Sequence, residues 1–367
     1  MNGFIVRGAS AAAGITLLAV SGALPAAAQS AGGHAAGVTR TWLNGVAASS
    51  GRAAFAVGYS GNGPLAVKWN GRSWRPVSSP SPSPNAIFNG VTALSARQAW
   101  AVGDFSRGQD SPRILIERWN GRTWRRTPTP GVPGVGQLLG VTATSPRNAW
   151  AVGSSGDPNN GSTRTLIVHW NGTAWKRVPS PGSARGVNAQ LLSVAAVSAR
   201  DAWAVGDSGL TTQNLVLHWN GTSWKRVPTP SATRGAVLNG VAASSGAVWA
   251  VGTVSGSPYR TLILRWTGHQ WIRVRSPSPS ADGGSQLYAV AITGMTAWAV
   301  GYAGSRTLIE RWNGTAWARV PSPSPSGPDD LKDVTAVSAS QAWAVGESNG
   351  KTLIVRWNGT AWRRQAS

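Results

Sequence analysis

The chain has 367 residues, a formal charge of +22 from 34 basic and 12 acidic side chains, 21 tryptophans and no cysteine. Without cysteine there is no disulfide, so stability must come from packing, which a chain of this length and tryptophan content can supply. Charge of this sign concentrates polyanions near the surface, and it also keeps a secreted protein dispersed.

Residues 1–28 stand apart from the rest of the chain. Arg7 supplies a positive start, 8–23 is a small apolar run, and Ala26-Ala27-Ala28 has the A-x-A form of a cleavage site. A membrane anchor is the rival reading. The run is short, split by Gly14 and Gly22 and followed by Pro25, which favours a removed secretory signal. The expected layout is a signal over 1–28, a linker over 29–41 and one domain over 42–367, secreted and without a membrane span once the signal is gone.

From 42 onward a unit returns seven times. Its marker is Trp-Asn-Gly at Trp69, Trp119, Trp170, Trp219, Trp312 and Trp357, with Trp266-Thr267-Gly268 as the variant, at spacings of 50, 51, 49, 47, 46 and 45 residues. A period of this size in strand-like sequence points to propeller blades that bury their faces against each other. In the second unit, 88–93 reads as a first strand, 99–103 as a second, 114–119 as a third and 122–127 as a fourth. Four strands in each of seven units predict an all-β, seven-bladed propeller of four-stranded antiparallel blades.

Asn120-Gly121 is a strong two-residue hairpin signal. That register pairs Trp119 with Arg122 and Glu117 with Trp124, leaving Trp119 and Trp124 as diagonal neighbours on one face. The same pairing recurs in every unit, so the indoles read as core between blades. A second ring, Phe55, Trp100, Trp150, Trp203, Trp249, Trp298 and Trp343, is equally periodic and also reads as core. Asn-Gly-Thr at Asn171, Asn220, Asn313 and Asn358 matches a glycosylation acceptor but is better explained as a turn. The Pro-Ser runs 79–84, 127–133, 179–181, 277–279 and 321–328 recur at the period and read as connections between blades.

The order Ala-Trp-Ala-Val-Gly, Thr-Leu-Ile-x-Arg-Trp and a Pro-Ser run resembles the kelch propellers. Asn313-Gly314-Thr315-Ala316-Trp317 is similar to the Asp-box of sialidase-like propellers, with Asn in place of Asp. The resemblance covers about 42–364 and implies a propeller fold; its motifs carry no catalytic residue across.

Chemistry-bearing patterns are sparse. Glu117 and Glu310 share a face with Arg126 and Arg319 and read as structural ion pairs. His169 and His218 occupy a strand slot held elsewhere by Lys68, Arg118, Arg265, Arg311 and Arg356, which is not a zinc constellation. No metal or other cofactor is expected. The long connections, second-to-third strand and blade-to-blade, gather on one face, where variable loops stand on a rigid frame. Tyr59, Asp104, Phe105, Asp207, Tyr259, Arg260, Tyr302, Arg306 and Glu347 are the candidate ligand rim there. Arg126, Arg177, Arg226, Arg273, Arg319 and Arg364 sit two after the fourth-strand Trp and should form a basic rim.

The resulting expectation is a secreted, non-catalytic, monomeric propeller. It would bind an anionic cell-wall polymer, a glycan or an extracellular protein, with no specific nucleic-acid recognition. A sialidase-like carbohydrate-active enzyme and a purely structural surface protein are the alternatives.

Overall fold

A computed structural model describes residues 40–366 except 109, 158–161, 183–186, 210–212, 234, 280–282 and 326. The expected signal and most of the linker lie outside the described residues. Seven four-stranded antiparallel sheets occupy 42–76, 87–126, 135–177, 189–226, 236–274, 285–319 and 329–364, each in the strand order first-second-third-fourth. One 3-10 turn, Ser231–Thr233, interrupts the strands among the described residues. First strands lie side by side around the ring, and Trp42–Ser50 of blade one packs against Asp329–Ser338 of blade seven. The ring therefore closes by blade-on-blade packing, with no strand exchanged across the seam.

Each first strand carries a bulge at the same place. Asn44, Asn89, Leu139, Leu192, Asn239, Tyr288 and Lys332 are the extra residues, skipped in the pairing with the second strand. A bulge turns its side chain away from the regular alternation. In three blades the freed Asn ties the ring together: Asn44, Asn89 and Asn239 donate through Nδ2 to the carbonyls of Phe88, Leu138 and Leu287 in the next blade, at 2.9, 3.0 and 2.9 Å. The second strand accommodates the bulge with the Gly of Ala-Val-Gly. A Cβ on Gly103 would lie 1.9 Å from the Ile87 carbonyl oxygen. At the ring seam Asp333 replaces the small residue after the bulge, and its carboxylate accepts the Val46 N–H at 2.8 Å.

The second-strand ring packs forward into the next blade. Trp100 lies 5.0 and 5.1 Å from Trp170 and Trp175, and Trp298 lies 4.9 and 5.1 Å from Trp357 and Trp362. Trp343 of blade seven meets Trp69 of blade one at 6.4 Å, so the pattern crosses the seam. The slot shared by His169 and Arg118 is the lid of these clusters. The His169 ring lies tilted over Trp150 at 4.1 Å, and the Arg118 guanidinium sits 5.3 Å from the Trp100 ring.

The outer hairpin differs from the two-residue expectation. Trp119 pairs directly with Trp124, Arg118 with Arg125 and Glu117 with Arg126, and the loop has four residues. Among its residues Gly121 alone has a positive φ, +100°. Asn120 stays in ordinary backbone space and uses its side chain instead: Oδ1 accepts the N–H groups of Arg122 and Thr123, both at 2.9 Å. An Asx turn of this kind satisfies two donors at once, so it outcompetes the tighter turn. In the Asn-Gly-Thr loops the threonine hydroxyl donates to the same oxygen, at 2.9 Å for Thr315 and Asn313.

Gly314 has φ +106° and no neighbour that a Cβ would strike. Gly314→Val should therefore destabilise by backbone strain alone, by about 1–3 kcal/mol. Asn313→Gly keeps the backbone free but removes the acceptor of Thr315 and Ala316, and should cost about 1 kcal/mol. Urea unfolding of the two variants measures both. Trp298→Ala empties a fully buried site and should cost about 3–5 kcal/mol by the same assay.

Candidate functional site

Two surfaces bring polar side chains together: the outer wall and the loop-face mouth of the channel.

The outer wall is built by the fourth strands. They are three or four residues long, each starting with a buried Trp and continuing with exposed residues. The large indole anchors the short strand, and in blades one to six a proline-containing run follows it. Arg126, Arg177, Arg226, Arg273, Arg319 and Arg364 are all exposed here, with Arg125, Lys176, Lys225 and Arg363 beside them. The ion pairs His218–Asp201, at 2.9 Å, and Lys332–Asp330, at 2.5 Å, lie elsewhere, and neither involves a rim arginine. Arg126 lies over the Phe105 ring at 4.5 Å, and Arg226 donates to the Ser208 hydroxyl at 3.2 Å. On blade two a concavity of about 370 Å³ is lined by Arg97, Gln98, Arg118, Trp119, Asn120, Arg125 and Thr127, with no carboxylate.

The expected Glu–Arg ion pairs are not formed. Glu117 and Glu310 lie opposite Arg126 and Arg319 in register, but both carboxyls are fully buried while the arginines stay outside. Hydroxyls from the preceding Pro-Ser runs reach them: Ser79 to Glu117 at 2.9 Å and Ser276 to Glu310 at 3.0 Å. The runs are pinned at other points too, as by Thr307 Oγ1 with Ser322 Oγ at 2.7 Å. Burial raises the Glu117 pKa to about 7 against the pull of Ser79 and Arg126, and that of Glu310 to about 8 against Ser276.

At the loop face the residue after each Val-Gly pairs with the first strand of its own blade. Asp104, Phe105 and Asp207 are buried there and do not face solvent. Asp104 accepts from Asn89 at 3.0 Å and Asp207 from Gln190 at 3.0 Å. Burial raises both carboxyls, Asp104 to about 6. Tyr59 is half-buried against Trp42, with its hydroxyl on the Gly61 carbonyl. Arg260 and Arg306 are exposed at the starts of third strands.

Tyr302, Tyr259 and Glu347 belong to a polar group that sequence reasoning did not assemble. Its other members are Gln286 and Tyr288 of blade six and Asp330 and Lys332 of blade seven. The Lys332 ammonium lies 4.5 Å from the centre of the Tyr288 ring, and the Tyr288 and Tyr302 rings are 5.8 Å apart. Burial disfavours the Lys332 charge, but Tyr288, Asp330 and Glu347 outweigh it and hold its pKa above the ordinary lysine value. Burial pushes the Tyr302 hydroxyl up to about 12 and raises Tyr288 as well. Glu347 is raised by burial and by Asp330, and it accepts the Gly350 N–H at 3.1 Å. Among the described residues no three His, Asp or Glu side chains form a group that could hold a metal ion. No helix there is long and apolar enough to cross a membrane.

With this geometry the chain can be set beside known proteins. No family model matches it, and no curated protein matches it. Solved structures do. The fold is shared with other propellers. A structure of YCF48 bound to D1 peptide is similar with TM-score 0.57 and 14% identity, over 90% of this chain and 94% of that one. YCF48 from Cyanidioschyzon merolae gives 0.57 and 18%, over 87% and 96%. The WD40 propeller domain of Doa1 gives 0.55 and 13%, over 87% and 94%. At these identities the likeness concerns the fold.

The buried glutamates predict a pH dependence. An unfolded chain releases a glutamate proton near pH 4.5, whereas the fold keeps those of Glu117 and Glu310 up to about 7 and 8. Their effect on stability is most favourable below about 4.5 and is lost as pH rises towards 8. The melting temperature should therefore fall over that window. Glu117→Gln with Glu310→Gln should reduce the fall, as thermal melts across pH would record.

Proposed function

We propose that the protein is a secreted, non-catalytic binding propeller whose basic outer wall holds anionic extracellular polymer. The observation that carries this reading is the wall itself: exposed arginines recur on blade after blade, and the His218–Asp201 and Lys332–Asp330 pairs leave them untouched. The blade-two concavity, with three guanidinium groups around an indole and no carboxylate, supports it. Secretion rests on the signal-like segment 1–28. The kelch-like or Asp-box-like type is part of the proposal: the Asn side chain that closes six of the seven outer turns accepts the N–H groups that an Asp could accept. The D1 peptide on the similar YCF48 structure supports a peptide or protein as a further partner class.

Within the carbohydrate-active alternative, hydrolysis by a carboxylate pair needs two carboxyl groups free to face one glycosidic bond. Asp330 is engaged by Lys332, and Glu347 by the Gly350 N–H. That commitment counts against a carboxylate-pair glycosidase; a sialidase, which uses a tyrosine nucleophile, remains the alternative.

Retention of the mature chain on immobilised anionic wall polymer or duplex DNA should weaken steeply with salt. On duplex DNA each phosphate contact contributes about 0.9 to the logarithmic slope. Arg126, Arg177 and Arg226 replaced together by Gln should flatten that slope while leaving the fold intact. No retention at low salt would reduce the rim to a guard against edge-to-edge aggregation.

A further inference from the structure

The repeat is broken in one place. At the bulge, blades one to five carry Asn44, Asn89, Leu139, Leu192 and Asn239, whereas blades six and seven carry Tyr288 and Lys332. Three of the chain's four tyrosines, Tyr259, Tyr288 and Tyr302, belong to this quarter of the ring. So do Asp329, Asp330, Asp333 and Glu347, four of only twelve acidic residues. A packing repeat gains nothing from such a departure, because Asn and Leu fill the same position elsewhere.

Each carboxyl here already has one partner: Asp330 holds Lys332, Arg40 lies near Glu347, Ser324 donates to Asp329, and the Val46 and Val334 N–H groups donate to Asp333. Hydrogen bonding is not balanced. Gln286 is 2% exposed and its Oε1 has no donor; Asp329 is 2% exposed and its Oδ1 has none; Asp330 Oδ1 is also without one. Buried acceptors are nearly always satisfied in native proteins, so each needs an explanation. Strand alternation points Gln286, with its cross-strand partner Tyr302, towards blade seven, since Leu287 between Gln286 and Tyr288 packs on blade five. Asp329 points towards blade six, since Leu331 packs with Trp298 and Val300. Two orphaned acceptors thus face one seam, beside two tyrosine rings.

We propose that the loop-face mouth of the channel, at the seam of blades six and seven, binds a neutral, hydroxyl-rich sugar residue of a glycan. Hydroxyl donors satisfy acceptors without displacing the partners each carboxyl already has, and the tyrosine rings offer apolar faces to the sugar's C–H surface. A cationic ligand would have to displace Lys332 from Asp330. A polyanion would meet Asp329, Asp330 and Glu347. This site is independent of the basic wall.

The test is calorimetric titration of the mature chain with neutral hexasaccharides of glucose, mannose, galactose and N-acetylglucosamine, and with a polyamine and a sulfated oligosaccharide as charged probes. At least one neutral hexasaccharide should bind, with affinity unchanged at high salt and unchanged by the triple Gln replacement on the wall. Tyr302→Ala and Asp329→Asn should each weaken binding by about tenfold or more, the loss expected for one hydrogen-bonding or stacking group. Tyr59→Ala, at the equivalent position of blade one, should not change it, and thermal melts report whether each variant folds. Binding by none of the neutral probes overturns the proposal, as does neutral binding that survives Tyr302→Ala. Preference for either charged probe at this seam overturns the ligand class.

Discussion

One contact repeated around the ring holds this protein together: a large second-strand ring seated between the two indoles of the next blade's outer hairpin. Trp298 against Trp357 and Trp362 is one instance, and Trp343 against Trp69 shows that the seam uses it too. The clamp explains several features at once. It requires both hairpin tryptophans on one face, and direct Trp–Trp pairing across a four-residue turn places them there. It leaves the top of each ring open to a cation or imidazole, hence Arg, Lys or His in the third-strand slot. It also anchors the fourth strand by its first residue, so the rest of that strand projects into water.

Around the channel the forces differ. First strands approach too closely for large side chains at the position after the bulge, where Gly45, Gly90, Gly140 and Gly240 stand. A Cβ on Gly240 would lie 2.7 Å from the Tyr288 carbonyl oxygen. The bulge residue is what remains free to vary, and variation there separates the charges. Cations line the outside of the ring, while the carboxylates of blade seven gather near its mouth.

Blade number, strand order and core were legible because each rests on periodicity, which a single sequence displays in full. The hairpin register was not. Asn-Gly carries the same letters whether Asn adopts a positive φ or accepts N–H groups through Asn120 Oδ1, and only the second occurs. The bulges had a signal in Asn44-Gly45, Asn89-Gly90 and Asn239-Gly240, since glycine inside a strand marks a close approach. The mouth residues escaped for a different reason. Tyr288 and Lys332 lie within strands that the repeat marks as structural, and their signal is departure from the repeat. Asp104, Phe105 and Asp207 show the converse: position in a variable region does not decide exposure when a cross-strand amide or a packed ring claims the side chain.

Closure without an exchanged strand makes the order of blades along the chain arbitrary. The seam between blades seven and one uses the same aromatic clamp as the interior boundaries, plus the Asp333 carboxylate on the Val46 N–H. A circularly permuted chain, opened in the Pro-Ser run between blades two and three and joined from 364 to 42 by a run of similar length, would have every blade intact. In a propeller whose last sheet combines both ends of the chain, the same cut would leave one blade covalently rearranged. Here the termini are a matter of gene order, and the ring would be topologically indifferent to where it begins.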